Sequence, residues 1–244
     1  MVARRLPAYL LLFLAVGLGR PAHGAEPPTP APYRATYLVT FRGIEGGRIQ
    51  FTLRPGAPGE FVFESRPEPN LIAKLFVSSD AVERSVMRID GSGVRPLFWA
   101  VEDGRSSHKN DGNLAFDWAE GRVQGTMGDE RIDLATEPGL QDRLSFQVAA
   151  LTALLRGHEP GTLAMVDHNK VTRYSYTRLR AERIETKVGA FDAVVYQNTR
   201  PGSTRVSLVW HAPALGYIPV RAEQIRKGKR ETVMELVEIH RGTP

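Results

Sequence analysis

Hydrophobic and polar positions alternate with a period of two along most of the chain, which is the pattern of half-buried β-strands. The first such run covers residues 33–41, and a second run at 49–53 follows a glycine-rich turn at 43–47. Comparable runs recur as far as residue 239 and are separated by short turns rich in Gly, Pro and Asp. Consecutive strands joined by short turns predict an antiparallel meander of ten or more strands.

One segment departs from this period. Residues 142–156 repeat apolar side chains at helical spacing, on a stripe formed by Leu144, Val148, Leu151 and Leu155. Asp142 suits the N-cap of a helix and Gly157 suits the C′ position that follows one. We expect this helix to be buried and to cover or plug the sheet. The predicted fold is mainly β, an antiparallel curved sheet or open β-barrel, lipocalin-like or lipoprotein-carrier-like, with one central buried α-helix.

The N-terminus has the pattern of a secretory signal peptide. Arg4 and Arg5 precede an apolar stretch at 8–19 and a small-x-small sequence at 22–24. An apolar stretch of about 12 residues is shorter than the roughly 20 that cross a bilayer, so cleavage is favoured over a retained anchor. We expect export to the periplasm of a protein that is not an integral membrane protein. The expected organisation is a signal peptide at 1–24, a Pro-rich lead at 25–32 and a single β-rich domain at 33–240.

Composition and charge narrow the classes of partner. The chain has 244 residues, of which 42% are hydrophobic, and it contains no Cys, so disulfides and lipidated cysteines are excluded. The formal charge of +5 becomes +2 without the signal peptide, because 29 Lys and Arg then face 27 Asp and Glu. A nearly balanced charge argues against nucleic acid as a partner.

No motif in the sequence carries recognised catalytic or metal-binding chemistry. The histidines lack metal-ligand spacing, and the S-x-x-K spacing at 106–109 falls in an expected hairpin without its partner motifs. His168 is expected in a solvated turn. The basic cluster Arg226–Arg230 is expected at an exposed hairpin turn rather than in contact with anionic lipid or nucleic acid, because no aromatic residues interleave it. We therefore expect no catalytic residues, no metal and no cofactor.

Aromatic side chains recur on strand faces that the alternation predicts to point inward. Such side chains either pack an ordinary core or line an apolar cavity that holds one small ligand. The candidate residues for a cavity lining are Tyr37, Phe41, Trp99, Phe116, Trp118 and Trp210.

Four stretches of sequence stand in a specific order and spacing. They are the strand Tyr37–Phe41 with its turn at Gly43, the helix start Asp142–Ser145, the segment Glu185–Ala193, and Trp210–Pro213 followed by Gly216–Val220. Together they resemble a bacterial secreted family catalogued as domain of unknown function number 3108, over residues 33–240. The resemblance implies an envelope-directed, β-rich protein and transfers no catalytic residue.

Three functional hypotheses follow from the sequence. The first is a non-enzymatic periplasmic protein that binds an apolar or amphipathic molecule of the cell envelope, such as a lipid, in a β-barrel cavity. The second is an envelope assembly or scaffolding factor that acts through its surface. The third is an envelope glycan hydrolase, which requires two carboxylates that converge in a groove. The ligand, the protein partners and the oligomeric state stay open at this stage.

Overall fold

The computed structural model describes residues 27–242, so the predicted signal peptide at 1–24 lies outside the described residues. Within this range the chain forms one sheet of 15 strands and one α-helix. The strands are β1 Tyr33–Phe41, β2 Ile44–Pro55, β3 Glu60–Pro69, β4 Val82–Asp90, β5 Gly93–Glu102, β6 Gly112–Asp117, β7 Arg122–Met127, β8 Glu130–Ala135, β9 Leu140–Gln141, β10 Thr162–Val166, β11 Val171–Thr186, β12 Gly189–Thr199, β13 Arg205–Ala212, β14 Ile218–Arg226 and β15 Lys229–Arg241. The helix is α1 Ser145–Leu155, and short 3-10 helices lie at Ala73–Leu75 and Pro213–Leu215. The prediction of a mainly β fold with one helix is confirmed.

The strand order is that of a meander whose first and last strands pair. It runs β8-β7-β6-β5-β4-β3-β2-β1-β15-β14-β13-β12-β11-β10-β9, and every pair is antiparallel except β9 with β10. The sheet is curved and unclosed, with β8 and β9 at its edges. The β8 edge nevertheless contacts the β10–β11 turn, where the Asp133 N–H donates to Asn169 Oδ1 at 3.2 Å and Glu130 meets His168 at 2.9 Å. Side-chain contacts, rather than a continuous ladder of backbone hydrogen bonds, thus join the two edge regions of the curved sheet.

Two hydrophobic clusters pack the sheet. The first joins β1–β5 and β12–β15 to α1, and includes Leu144, Val148 and Leu151 from the helix segment. The second joins β5–β8 to β9 and β10, which explains why the two sheet edges lie close together. The helix contacts β4, β5, β9 and β10 and is buried along most of its length, as expected.

The start of the helix is fixed by Asp142. Its Oδ1 accepts hydrogen bonds from the backbone N–H of Leu144 at 2.8 Å and of Ser145 at 2.9 Å, while Ser145 Oγ accepts from the Asp142 N–H. This reciprocal pair is a capping box. The Ser85 hydroxyl on β4 donates to the other carboxylate oxygen at 2.7 Å. Asp142 therefore caps the turn that leads into α1, which begins three residues later than predicted, at Ser145, and it also ties the helix to the sheet.

The end of the helix is equally well defined. Gly157 has a φ of +76°, its N–H donates to Leu154 O, and the His158 N–H donates to Ala153 O. These two bonds form a Schellman motif, so the predicted C′ glycine is confirmed. Just before it, Arg156 Nε donates to the carbonyl oxygen of Pro28 at 2.9 Å. The segment that precedes β1 is thereby held against the helix end.

The connections of the meander alternate between two rims of the sheet. Rim 1 carries the connections β1–β2, β3–β4, β5–β6, β7–β8, β10–β11, β12–β13 and β14–β15. Rim 2 carries β2–β3, β4–β5, β6–β7, β11–β12 and β13–β14. The helix N-terminus lies toward rim 1, because Asp142 and Arg143 contact Ser85 and Glu83 near the start of β4. In residues 27–242 there is no helix with the length and apolar character needed to span a membrane.

Candidate functional site

A cavity of about 330 Å³ lies between α1 and the concave face of the sheet. Its volume is near the lower end of the range of about 300 to 1,000 Å³ for small-molecule sites. Strands β1–β3, β11–β15 and the helix segment contribute its walls. The apolar part of the lining comprises Tyr33, Tyr37, Phe51, Phe63, Phe146, Leu151, Val209, Pro219, Ala222 and Met234. Such a space suits one small ligand.

One wall of the cavity is an aromatic row from β1, β2 and β3. Phe51 lies at its centre, with its ring centroid 5.8 Å from that of Tyr37 and 5.7 Å from that of Phe63, and Tyr33 contacts Phe63 at 6.2 Å. The row arises because these positions alternate on strands that pair in register. The Tyr37 hydroxyl donates to the carbonyl oxygen of Pro219 at 2.8 Å, and burial raises its pKa well above the usual range. The aromatic wall is therefore apolar and uncharged.

A polar row crosses the opposite part of the cavity. Its members stand directly opposite one another on five neighbouring strands, β11 to β15, and are Tyr176, Asn198, Ser207, Gln224 and Thr232. All five line the cavity. Two residues further along the strands toward rim 2, the corresponding row is the apolar set Val209, Ala222 and Met234. The cavity lining thus changes from polar to apolar over two residues along each strand, and the polar row lies on the side of rim 1.

The opening of the cavity lies on this same side. Three lining residues have exposed side chains, Arg143 and Gln147 from the helix segment and Gln224 from the polar row. Arg143 binds the Glu83 carboxylate at 3.0 Å and lies over the Trp99 ring at 5.1 Å, so its position is fixed. A ligand that enters here meets amide and hydroxyl groups first and aromatic rings deeper.

Two hydrogen-bond acceptors in the cavity wall lack a partner among the described residues. His211 is 2% exposed, and its Nδ1–H donates to the carbonyl oxygen of Tyr217 at 2.8 Å. Burial lowers the pKa of His211 to about 4, so the ring is neutral and Nε2 keeps its lone pair. Both His211 Nε2 and Asn198 Oδ1 are buried without a hydrogen bond. Unpaired buried acceptors are costly, so each favours a ligand with a hydrogen-bond donor.

The charges that border the cavity are compensated. Glu223, 5% exposed, is the one acidic residue of the lining, and its side chain points to the face of β14 opposite to Ala222 and Gln224, where Arg221 at 2.7 Å and Arg230 at 2.8 Å bind its carboxylate. Among residues 27–242 no three His, Asp or Glu side chains are grouped as metal ligands would be. The arrangement can hold a neutral ligand by apolar contact and hydrogen bonds.

The six aromatic residues singled out from the sequence do not meet in one place. Tyr37 lines the cavity. Phe41 is 50% exposed at rim 1, where the Arg42 guanidinium lies 5.1 Å from its ring centroid, so it does not point inward. Trp210 lies on the opposite face of β13 from Val209, because successive side chains on a strand alternate. Its Nε1–H donates to the Glu182 carboxylate.

The other three aromatic residues belong to the second hydrophobic cluster. Trp99 is 1% exposed and donates its Nε1–H to Glu83 at 2.8 Å. Phe116 is stacked on Trp118 with centroids 6.1 Å apart, and Trp118 donates to the carbonyl oxygen of Pro96 at 2.6 Å. Both indole N–H groups have protein partners, and all three side chains pack in the second cluster, away from the cavity lining.

Sequence reasoning missed most of the lining. Tyr33, Phe51 and Phe63 follow the same alternation as Tyr37 and could have been found by it. The polar row left no signal, because its members are scattered over 57 positions from Tyr176 to Thr232 and meet only through the register of five strands. His211 was considered only as one of the histidines that lack metal-ligand spacing and as part of the segment Trp210–Pro213.

Three features considered for chemistry lie in exposed connections on rim 1, as expected. His168 has a φ of +56° in the β10–β11 turn and binds Glu130. Residues 106–109 lie in the exposed β5–β6 loop. The basic cluster Arg226–Arg230 surrounds the β14–β15 turn.

Comparison with known proteins gives a family and a fold. The model of a family described as "Protein of unknown function (DUF3108)" matches residues 36–236, and no curated protein matches the chain. A solved structure of a β-barrel-like protein of domain of unknown function DUF1849 from Brucella abortus is similar, with 11% identity, a TM-score of 0.54, and coverage of 88% of this chain and 99% of that one. A chain of the Pseudomonas aeruginosa MucA/MucB complex has 13% identity, a TM-score of 0.38, and coverage of 87% and 53%. The first likeness concerns the fold alone, and the second supports no inference.

Proposed function

We propose that this chain, which belongs to the DUF3108 family, is a non-enzymatic periplasmic protein that binds one small amphipathic molecule of the cell envelope. The observation that carries the proposal is the cavity of about 330 Å³, with an aromatic wall at one side and a polar row at its opening. Its two unpaired buried acceptors indicate a bound partner rather than a sealed core.

The lining restricts the chemistry of the ligand. An apolar body would pack against the aromatic row, and the polar row would receive a head group that carries hydroxyl or amide groups. Asn198 belongs to that row, and His211 lies four residues beyond Ser207 on β13, or about 13 Å further along the strand. Hydrogen-bond donors at two levels would therefore satisfy both acceptors. Because the one acidic residue of the lining, Glu223, turns its carboxylate to the opposite face and binds two arginines there, an uncharged ligand is favoured.

The proposed compartment rests on the N-terminal sequence. Arg4 and Arg5, the apolar stretch and the small-x-small site support export and cleavage after residue 24. The proposed organisation is the lead at 25–32 followed by one β-rich domain at 33–240. The contact between Arg156 and Pro28 and the burial of Pro30 support a lead that packs on the domain.

The cavity does not favour the glycan hydrolase hypothesis. That chemistry uses two carboxyl groups about 5 to 9.5 Å apart, one of which acts as the proton donor. Glu223 is the one acidic residue of the lining, and both of its carboxylate oxygens are occupied by guanidinium groups.

Native mass spectrometry tests the proposal. Protein produced from the full-length chain and purified from the periplasm should show a stoichiometric adduct that organic solvent releases. The extracted molecule should be amphipathic and should carry hydroxyl or amide groups. The mass of the polypeptide itself would report the cleavage site in the same experiment.

A variant that fills the cavity provides the matched comparison. Ala222 lines the cavity, so Ala222→Phe should abolish the adduct. Ala181 is exposed on β11 and does not line the cavity, so Ala181→Phe should retain it. A wild-type protein that carries no adduct and takes up none from an envelope lipid extract would overturn the proposal, as would an adduct that Ala222→Phe retains.

A further inference from the structure

The β3–β4 connection on rim 1 exposes an unusual amount of apolar surface. The side chains of Leu71, Leu75 and Phe76 are 85%, 73% and 77% exposed, and Ile72 and Val77 are exposed with them. Phe41 and Ile44, at the adjoining β1–β2 turn, are 50% and 64% exposed. We call these seven residues the apolar tip. Contiguous exposed apolar surface of this kind marks a site of interaction with a partner or a membrane.

The backbone of the apolar tip is anchored, so the exposure of its side chains is built into the fold. Asn70 Nδ2 donates to Glu45 O at 2.6 Å, and Asn70 Oδ1 accepts from the N–H of Ile72 and of Ala73. On the other side of the loop, the Arg105 guanidinium donates to Leu75 O at 3.3 Å. These bonds hold the loop against the neighbouring β1–β2 and β5–β6 connections.

A group of cationic side chains adjoins the apolar tip on the same rim. The Arg42 N–H donates to Glu231 O at 2.7 Å, which joins the β1–β2 turn to the β14–β15 turn. A groove between the two turns is lined by Arg42, Arg226, Lys227, Lys229, Arg230 and Glu231, and we call its five cationic residues the basic turn. Three strand spacings separate β15 from β3, or about 15 Å.

Part of this positive charge has no internal partner. In the described residues, no ion pair includes Arg226, Lys227 or Lys229, nor Lys74 in the apolar tip's own loop. Sequence inspection discounted a lipid contact here because no aromatic residues interleave the cluster. The fold places the apolar and aromatic side chains of the β3–β4 connection, about 150 positions earlier in the sequence, on the same rim as this basic cluster.

We propose that rim 1 docks on the surface of an anionic lipid bilayer. The apolar tip would enter the boundary between head groups and acyl chains, and the basic turn would bind the lipid phosphates. Apolar burial combined with cationic residues is the chemistry by which peripheral proteins bind anionic membranes. The cavity opens on the same rim, so a docked protein would turn its opening toward the bilayer. The docking proposal is independent of the identity of any cavity ligand.

Vesicle flotation with periplasm-purified protein tests the proposal. The wild type should bind vesicles of phosphatidylcholine mixed with phosphatidylglycerol, and should bind pure phosphatidylcholine vesicles far more weakly. The double variants Leu71→Ser with Phe76→Ser, and Lys227→Glu with Lys229→Glu, should each weaken binding at least about tenfold. Added salt should weaken the binding of the wild type, because it screens the lipid charge.

Matched controls come from surfaces away from rim 1. Phe98 and Leu179 are also exposed apolar residues, and Phe98→Ser with Leu179→Ser should leave flotation unchanged. Arg183→Glu with Lys187→Glu places the same charge change near rim 2 and should have little effect. Far-UV circular dichroism and the unfolding midpoint establish that each variant is folded.

Two results would overturn the docking proposal. One is a wild type that floats with neither vesicle composition, which is the outcome expected if the apolar tip serves a protein partner. The other is equal flotation of the wild type and both rim 1 double variants. The Ala222→Phe variant separates the two proposals, because it should lose the cavity ligand and keep vesicle binding.

Discussion

The buried carboxyl group at the start of the helix makes stability depend on pH in an unusual direction. Asp142 is 1% exposed, and burial raises its pKa from 3.8 to about 6, although hydrogen bonds from Ser85 and the backbone favour the ionised form. Between these two values the folded state holds a proton that the unfolded state has lost. The contribution of this group is therefore fully present below about pH 4 and is lost as pH rises through about 6.

The size of the effect follows from the shift. Two pKa units correspond to about 3 kcal/mol, of which about 2 to 3 kcal/mol falls between pH 4 and pH 7. Asn at position 142 keeps the capping oxygen and cannot ionise. The free energy of unfolding of Asp142→Asn, measured relative to the wild type, should therefore rise by that amount from pH 4 to pH 7.

Urea unfolding at several pH values, followed by tryptophan fluorescence, measures this difference. Comparing variant with wild type cancels the contributions of all other titrating groups. Asp129→Asn, in the exposed β7–β8 turn, controls for the loss of one carboxylate. A constant difference between Asp142→Asn and the wild type would refute the reasoning, because it would mean that the carboxyl is not desolvated in the folded protein.

Three further substitutions test other contacts, each by urea unfolding. The free energy of unfolding of His211→Gln, measured relative to the wild type, should rise by about 3 kcal/mol as pH falls from 6.5 to 4, because the buried ring of His211 resists protonation in the folded wild type; a constant difference would count against a buried neutral ring. Tyr37→Phe should cost about 0.5 to 1.5 kcal/mol, since it removes the hydrogen bond to the partly buried Pro219 carbonyl, and a neutral result would contradict that bond. Gly157→Ala should cost about 1 kcal/mol because of its positive φ, whereas Gly91→Ala, where no positive φ is required, should cost less.

The sequence was sufficient for the class of fold and for the residues that fix both helix ends. Period-two alternation with short turns implies a meander, and Asp142 and Gly157 act through local backbone geometry that their neighbours alone determine. The alternation of hydrophobic and polar residues does not show which face of a strand lies on the concave side of the sheet. Trp210 was therefore assigned to the inside, whereas Val209 and His211 line the cavity and Trp210 lies between the guanidinium groups of Arg180 and Arg221.

The site depends on register, which no local pattern contains. Asn198, Ser207, Gln224 and Thr232 become neighbours because β12 to β15 pair in one particular alignment, and a slip by one residue would turn each to the other face. Phe41 failed as a lining residue for a related reason, since it stands at the end of β1 where the concave face gives way to the rim. Long-range pairing, rather than composition, produces the cavity.

The most direct test of the binding function is a crystal structure of the protein purified from the periplasm without delipidation. Elongated density should lie between α1 and the sheet, in contact with the aromatic row and with a polar group within hydrogen-bond distance of Asn198 Oδ1. A second donor should lie at His211 Nε2. A cavity occupied by protein side chains, or by ordered water alone, would contradict the account.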